Sequence, residues 1–201
     1  MFWLLTALWA AGLVASGIDP YDRLTWLMEV LPAIIAWPIL FAARPRFRFT
    51  DLTLALITLH GLILMLGGAY TYARVPFGFW LQDVFALDRN PYDKIGHFAQ
   101  GFVPAIIALE LLVRVFRIAQ PKLTIFLVVS ICLAISAMYE LIEWTAALAL
   151  GQGADEFLGT QGDEWDTQSD MALALVGALA AILFYRWQDR QILRLKGAPA
   201  T

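Results

Sequence analysis

The chain has 201 residues, of which 60% are hydrophobic and 15% charged, with a formal net charge of −3. Soluble domains carry about 25% charged residues, so this much apolar surface excludes an ordinary water-soluble domain and points to lipid as the solvent. The one cysteine, Cys132, excludes intramolecular disulfides and cysteine-rich metal sites.

Residues 2–18 are apolar and carry no side-chain charge. They are short for a span but within range. Ala15-Ser16-Gly17 would suit signal-peptide cleavage, but no Lys or Arg precedes the apolar run, so a retained helix is expected. Asp19-Pro20-Tyr21-Asp22-Arg23 reads as a polar turn before a second span, 24–43. That span contains Glu29, Pro32 and Pro38, which membrane helices tolerate when neighbours satisfy the freed carbonyls. The basic loop Arg44-Pro45-Arg46-Phe47-Arg48 leads to a third span, 52–72, with His60 near its middle. His60 reads as a packed, hydrogen-bonded residue, and Glu29 and Glu110 as groups paired within the bundle or reaching an interface.

The connection 74–93 is mixed. Val75-Pro76-Phe77-Gly78-Phe79-Trp80 looks interfacial, and Asn90-Pro91 favours a turn. A helix starting at Tyr92 or Asp93 runs into the fourth span, 95–116. The fifth, 123–150, is long enough to tilt or to project beyond the lipid. The acidic segment Gly159-Thr160-Gln161-Gly162-Asp163-Glu164-Trp165-Asp166-Thr167-Gln168-Ser169-Asp170 follows. It opens the sixth span, 170–185, whose Gly177, Ala178, Ala180 and Ala181 permit close helix packing. Residues 186–201 form a basic tail.

The expected architecture is therefore all-α: one polytopic membrane helix bundle of about six transmembrane helices, spanning residues 1–201 as a single domain. Eight tryptophans and six tyrosines suit aromatic belts at both interfaces. Six spans place both termini on one side, with Arg44, Arg46, Arg48, Arg114, Arg117, Lys122, Arg186, Arg190, Arg194 and Lys196. Arg23, Arg74, Arg89 and Lys94 fall on the other. Ten against four predicts cytoplasmic termini in a bacterial inner membrane.

This topology brings three polar segments to one outer depth. Asp93, His97 and Gln100 share a helix face at i, i+4 and i+7, and Glu140 and Glu143 share one at i and i+3. Asp163, Asp166 and Asp170 would form a third if the last span began early. A charge at the bilayer centre costs about 2.5–3.5 kcal/mol, so the glutamates should face the bundle, with Lys94 and His97 as partners. The expected site is an outward-facing His/carboxylate cleft. His97, Glu140, Glu143 and Asp163 are its catalytic candidates, and Asp93, Lys94, Gln100, Gln161, Asp166 and Asp170 its ligand-binding candidates. His97, Glu140, Asp163 and Asp166 form a metal-ligand set. Carboxylate oxygens and one imidazole suit a divalent cation such as Mg²⁺, Mn²⁺ or Zn²⁺ better than a soft metal. Purely structural pairing of the same residues is the plainer reading.

Tyr92-Asp93-Lys94-Ile95-Gly96-His97-Phe98-Ala99-Gln100-Gly101-Phe102, Tyr139-Glu140-Leu141-Ile142-Glu143-Trp144 and the acidic segment through Met171 resemble the YjdF-type bacterial inner-membrane family. The resemblance covers nearly the whole chain. It implies the membrane fold and supplies no reaction. More remotely, Asp93-Lys94 with His97, then Glu140, then the late aspartates, is similar to VanZ-like membrane proteins, which are linked to glycopeptide-antibiotic tolerance.

The functional expectation is a site for a cation or a polar lipid-like ligand, such as an envelope precursor, with the lipid bilayer as surroundings. Whether it is an enzyme stays open. A small proton-coupled transporter and a non-catalytic membrane scaffold or envelope-stress factor are the alternatives. No nucleic-acid partner is expected, because the basic residues form no extended face and the acidic site lies away from the cytoplasm.

Overall fold

In a computed structural model, described here over residues 1–150 and 161–197, the chain is an all-helical membrane bundle. Among the described residues there are eight helices: α1 Phe2–Ile18, α2 Arg23–Ala43, α3 Asp51–Ala69, α4 Pro76–Phe85, α5 Tyr92–Arg114, α6 Pro121–Leu150, α7 Asp166–Ile182 and α8 Tyr185–Gly197. By length and apolarity, α2, α3, α5 and α6 are each sufficient to cross a membrane, and α1 is a shorter apolar helix.

Local chemistry sets the boundaries. The Asp22 carboxylate caps α2 by accepting the Thr25 N–H at 2.7 Å. That bond holds its pKa below the usual carboxylate range. The Thr50 hydroxyl accepts the Thr53 N–H to cap α3. The third apolar run was expected to stay helical to residue 72, but α3 ends at Ala69. Thr71 and Tyr72 take left-handed φ values of 52° and 50°. The chain thereby folds the Tyr72 ring back over Gly67, where a Cβ would stand 2.4 Å from that ring. The connection beyond it contains a helix that the aromatic run did not announce. In α4, Pro76 fills the first turn and Gly78 rests on Asn90, too close for any side chain. The basic tail likewise begins as a helix, α8, whose buried Gln188 donates to the Ile106 carbonyl at 2.7 Å.

The helices form two groups. In one, α3 packs on α1 and α2. In the other, α5 packs on α7 and α6, and α6 also packs on α7. The groups meet where α3 crosses α5. The α5–α7 interface is the most extensive in the bundle. It rests on reciprocal glycines: a Cβ on Gly101 would lie 1.8 Å from the Ala174 carbonyl oxygen, and one on Gly177 would lie 2.2 Å from that of Phe98. The backbones touch because neither residue has a side chain.

Candidate functional site

The close α5–α7 crossing fixes the polar residues at the N-terminal ends of both helices. On α5, the imidazole of His97 is buried between them. Its Nδ1 lies 3.1 Å from Gln100 Oε1, and its Nε2 lies 3.3 Å from Asp93 Oδ1 and 3.6 Å from Asp170 Oδ2. Ligand atoms of Asp93, His97 and Asp170 all fall within 4.8 Å of one another. Glu140, from α6, stands 3.9 Å from Nδ1. Asp93 Oδ2 and Glu140 Oε1 are buried without a hydrogen-bond partner.

The other aspartates are drawn elsewhere. The expected pairing of Lys94 with a glutamate is corrected: its ammonium donates to Asp166 at 2.8 Å, Asp170 Oδ1 at 2.7 Å and Ser169 at 2.6 Å. Arg89 bridges Asp163 and Asp166 at 2.8 and 2.7 Å. Burial works against the Arg89 charge, but the hydrogen bond and charge of Asp166, with Asp163, offset it and raise the guanidinium pKa. Asp163 precedes α7 rather than sharing its face, and accepts the Trp165 N–H. Gln161 donates to the Asn90 carbonyl and accepts the Asn90 N–H, so both ends of its amide pin the loop before α5. The acidic segment is thus a clamp onto α5, with Asp170 alone reaching His97. Its residues 159 and 160 lie outside the described part of the chain.

A cavity of about 180 Å³ adjoins the His97 group. Asp93, His97 and Gln100 form its α5 wall, while Tyr139 and Glu143 come from α6. Glu29 from α2, His60 from α3 and Tyr72 complete the polar lining. Asp170 and Glu140 approach His97 without lining the cavity. Glu29, His60, Tyr72 and Tyr139 of this lining, and Arg89 of the clamp, were not joined to the site from sequence. Glu29, His60 and Tyr72 lie in the other helix group, and helical spacing cannot reveal which faces of separate helices meet. Arg89 sits in a loop with no periodicity to expose it.

The family model described as "Predicted membrane protein (DUF2238)" matches residues 1–190. The chain belongs to this family. It is also similar to "Inner membrane protein YjdF" of Escherichia coli (strain K12), at 58% identity over 183 residues, covering 90% of this chain and 88% of that protein. No solved structure matches. The family resemblance carried by the three polar motifs is therefore borne out.

Proposed function

We propose that this membrane protein binds a divalent cation at Asp93, His97 and Asp170 and presents it to a polar ligand in the adjoining cavity. One observation carries the reading: two carboxylate oxygens and one imidazole nitrogen from two helices converge within 4.8 Å, the imidazole held from its far side by Gln100. Ligands about 2.1 Å from a tetrahedral ion stand about 3.4 Å apart. The two separations from Nε2 are 3.3 and 3.6 Å. When Nδ1–H donates to Gln100 Oε1, Nε2 keeps its lone pair turned towards both carboxylates. This is the arrangement by which an outer partner fixes a ligating histidine. Lys94 occupies Asp170 Oδ1 and leaves Oδ2 for the ion.

The reading includes six crossings with cytoplasmic termini, supported by the ten-to-four distribution of basic residues. The site would then face outward from a bacterial inner membrane, the location named for the YjdF relative.

The test is metal content and titration of purified protein, stripped with EDTA and reloaded with Mg²⁺, Mn²⁺ or Zn²⁺. Wild type should bind one equivalent. His97→Ala and Asp170→Asn should abolish binding, and Gln100→Leu should weaken it by about 10–100-fold. Asp163→Asn should bind like wild type, because Asp163 pairs with Arg89 instead. Wild type that takes up none of the three ions, or a folded His97→Ala variant that binds as well as wild type, would overturn the proposal.

A further inference from the structure

The cavity has a second property that a cation at His97 does not use. Among its described lining residues are three carboxylates, Glu29, Asp93 and Glu143, and no Lys or Arg. Glu29 is 7% exposed and has neither a hydrogen bond nor an ion pair with any described residue. On the same lining, His60 Nε2 is buried without a partner. Two prolines from different helices, Pro32 and Pro104, also line the space. Neither can donate to the residue four positions earlier, which leaves the carbonyls of Met28 and Gln100 without their helical donor. The cavity is thus rich in carboxyl groups and other hydrogen-bond acceptors. Tyr72 and Tyr139 also stand on its wall.

The lining spans two helices with little contact between them. The lining residues Glu29 and Pro32 belong to α2, and Ile135, Tyr139 and Glu143 to α6. Yet α2 and α6 share no substantial packing interface. Ile135 lines the cavity and is also 39% exposed, so this residue borders both the cavity and the outer surface. The outer surfaces of both helices are apolar: Leu31 and Ile35 on α2, and Met138 and Ile142 on α6, are all exposed. Glu29 lies six residues into α2, or about 9 Å below the helix end.

We infer that the gap between α2 and α6 is a lateral entrance through which the primary ammonium headgroup of a membrane lipid reaches Glu29 and Glu143. A primary ammonium supplies three N–H donors, and the cavity offers acceptors for them. A quaternary ammonium supplies none, and a glycerol headgroup brings no ammonium to the carboxyl groups. The volume fits as well. One water needs about 10–15 Å³ of such space, so about 180 Å³ holds a headgroup of several heavy atoms and is far larger than an ammonium ion requires. The apolar outer surfaces accommodate acyl chains and commit the ligand to a lipid rather than a soluble amine. Asp93 is shared with the cation site, but Glu29 and Glu143 are not among that site's ligands, so the two readings can fail separately.

Native mass spectrometry of the full-length protein in detergent micelles tests it, with added phosphatidylethanolamine, phosphatidylcholine, phosphatidylglycerol or free ethanolamine. Each titration is run with EDTA and again with a divalent ion. Phosphatidylethanolamine should be retained at least about tenfold better than the other two lipids, as charge-assisted hydrogen bonds allow. That preference should persist in EDTA. It should fall towards unity in Glu29→Gln and Glu143→Gln. Ile135→Trp, which narrows the entrance without touching a charge, should lower retention of phosphatidylethanolamine. Equal retention of all three lipids would overturn the inference, as would an unchanged preference in folded Glu29→Gln and Glu143→Gln together. Binding of free ethanolamine as tight as that of the lipid would overturn the lateral route. Loss of metal binding with the lipid preference intact would defeat the cation proposal alone.

Discussion

Glu29 and Glu110 are both buried glutamates within apolar helices, and their surroundings make them opposites. Glu110 is fully buried and accepts from the Thr50 N–H, the Thr50 hydroxyl and the Thr53 hydroxyl, besides pairing with Arg114. Every demand of the charge is met, so the group serves the structure. Glu29 meets none of these partners and lines a cavity instead. Removing one member of a satisfied buried pair strands the other, which costs about 3–5 kcal/mol. Glu110→Ala should lose about that much in reversible unfolding from detergent micelles, while Glu29→Gln should unfold at or above the wild-type denaturant midpoint. From sequence these residues had equal standing, because the threonines that satisfy Glu110 sit about sixty positions earlier, on a neighbouring helix. His97 was more legible. Asp93 and Gln100 lie on its own helix, and spacing alone places both beside it.

At the level of elements, the decisive one is α5, whose fit against α7 depends on two missing side chains. Gly101→Val would drive a branched side chain into the Ala174 backbone, 1.8 Å from where its Cβ must stand. Backbone cannot yield as a flexible side chain does, so the helices should separate at a cost of about 1–3 kcal/mol or more. The same change would move Asp170 away from His97, so divalent-ion affinity should fall with unfolding stability in the same variant. Loss of stability with ion affinity unchanged would show that the crossing does not set the site. The long apolar helices were readable because lipid demands long uninterrupted runs. Helices α4 and α8 were not. Aromatics and Pro76 suggested irregular interfacial chain, and what holds α4 is the tertiary seat of Gly78 on Asn90. The charges of the tail concealed a buried i, i+4 pair, Gln188 and Ile192.

For the whole molecule, the distribution of basic residues makes a topological prediction that labelling can check. The native Cys132 is fully buried and gives a quiet background. Single cysteines at Arg46, Lys122 and Arg190 should react with an impermeant maleimide only after cells are permeabilised, and one at Asp88 should react in intact cells. The reverse pattern would place the His97 site on the cytoplasmic side. Composition was enough to declare a membrane bundle. It could not show that the bundle is two groups of helices joined across α3 and α5, because that division is a matter of which faces meet.

The lack of a substantial interface between α2 and α6 affects how the molecule is handled. Where two helices pack so little within a bilayer, the surrounding amphiphile completes the wall between them. Part of the protein's tertiary structure is then supplied by its solvent. A species that binds only the folded state raises apparent stability with its concentration, so the unfolding free energy belongs jointly to the chain and to whatever fills the gap. Detergents that differ in headgroup at constant tail length should therefore rank the same chain differently. That ranking is a chemical fingerprint of the missing wall.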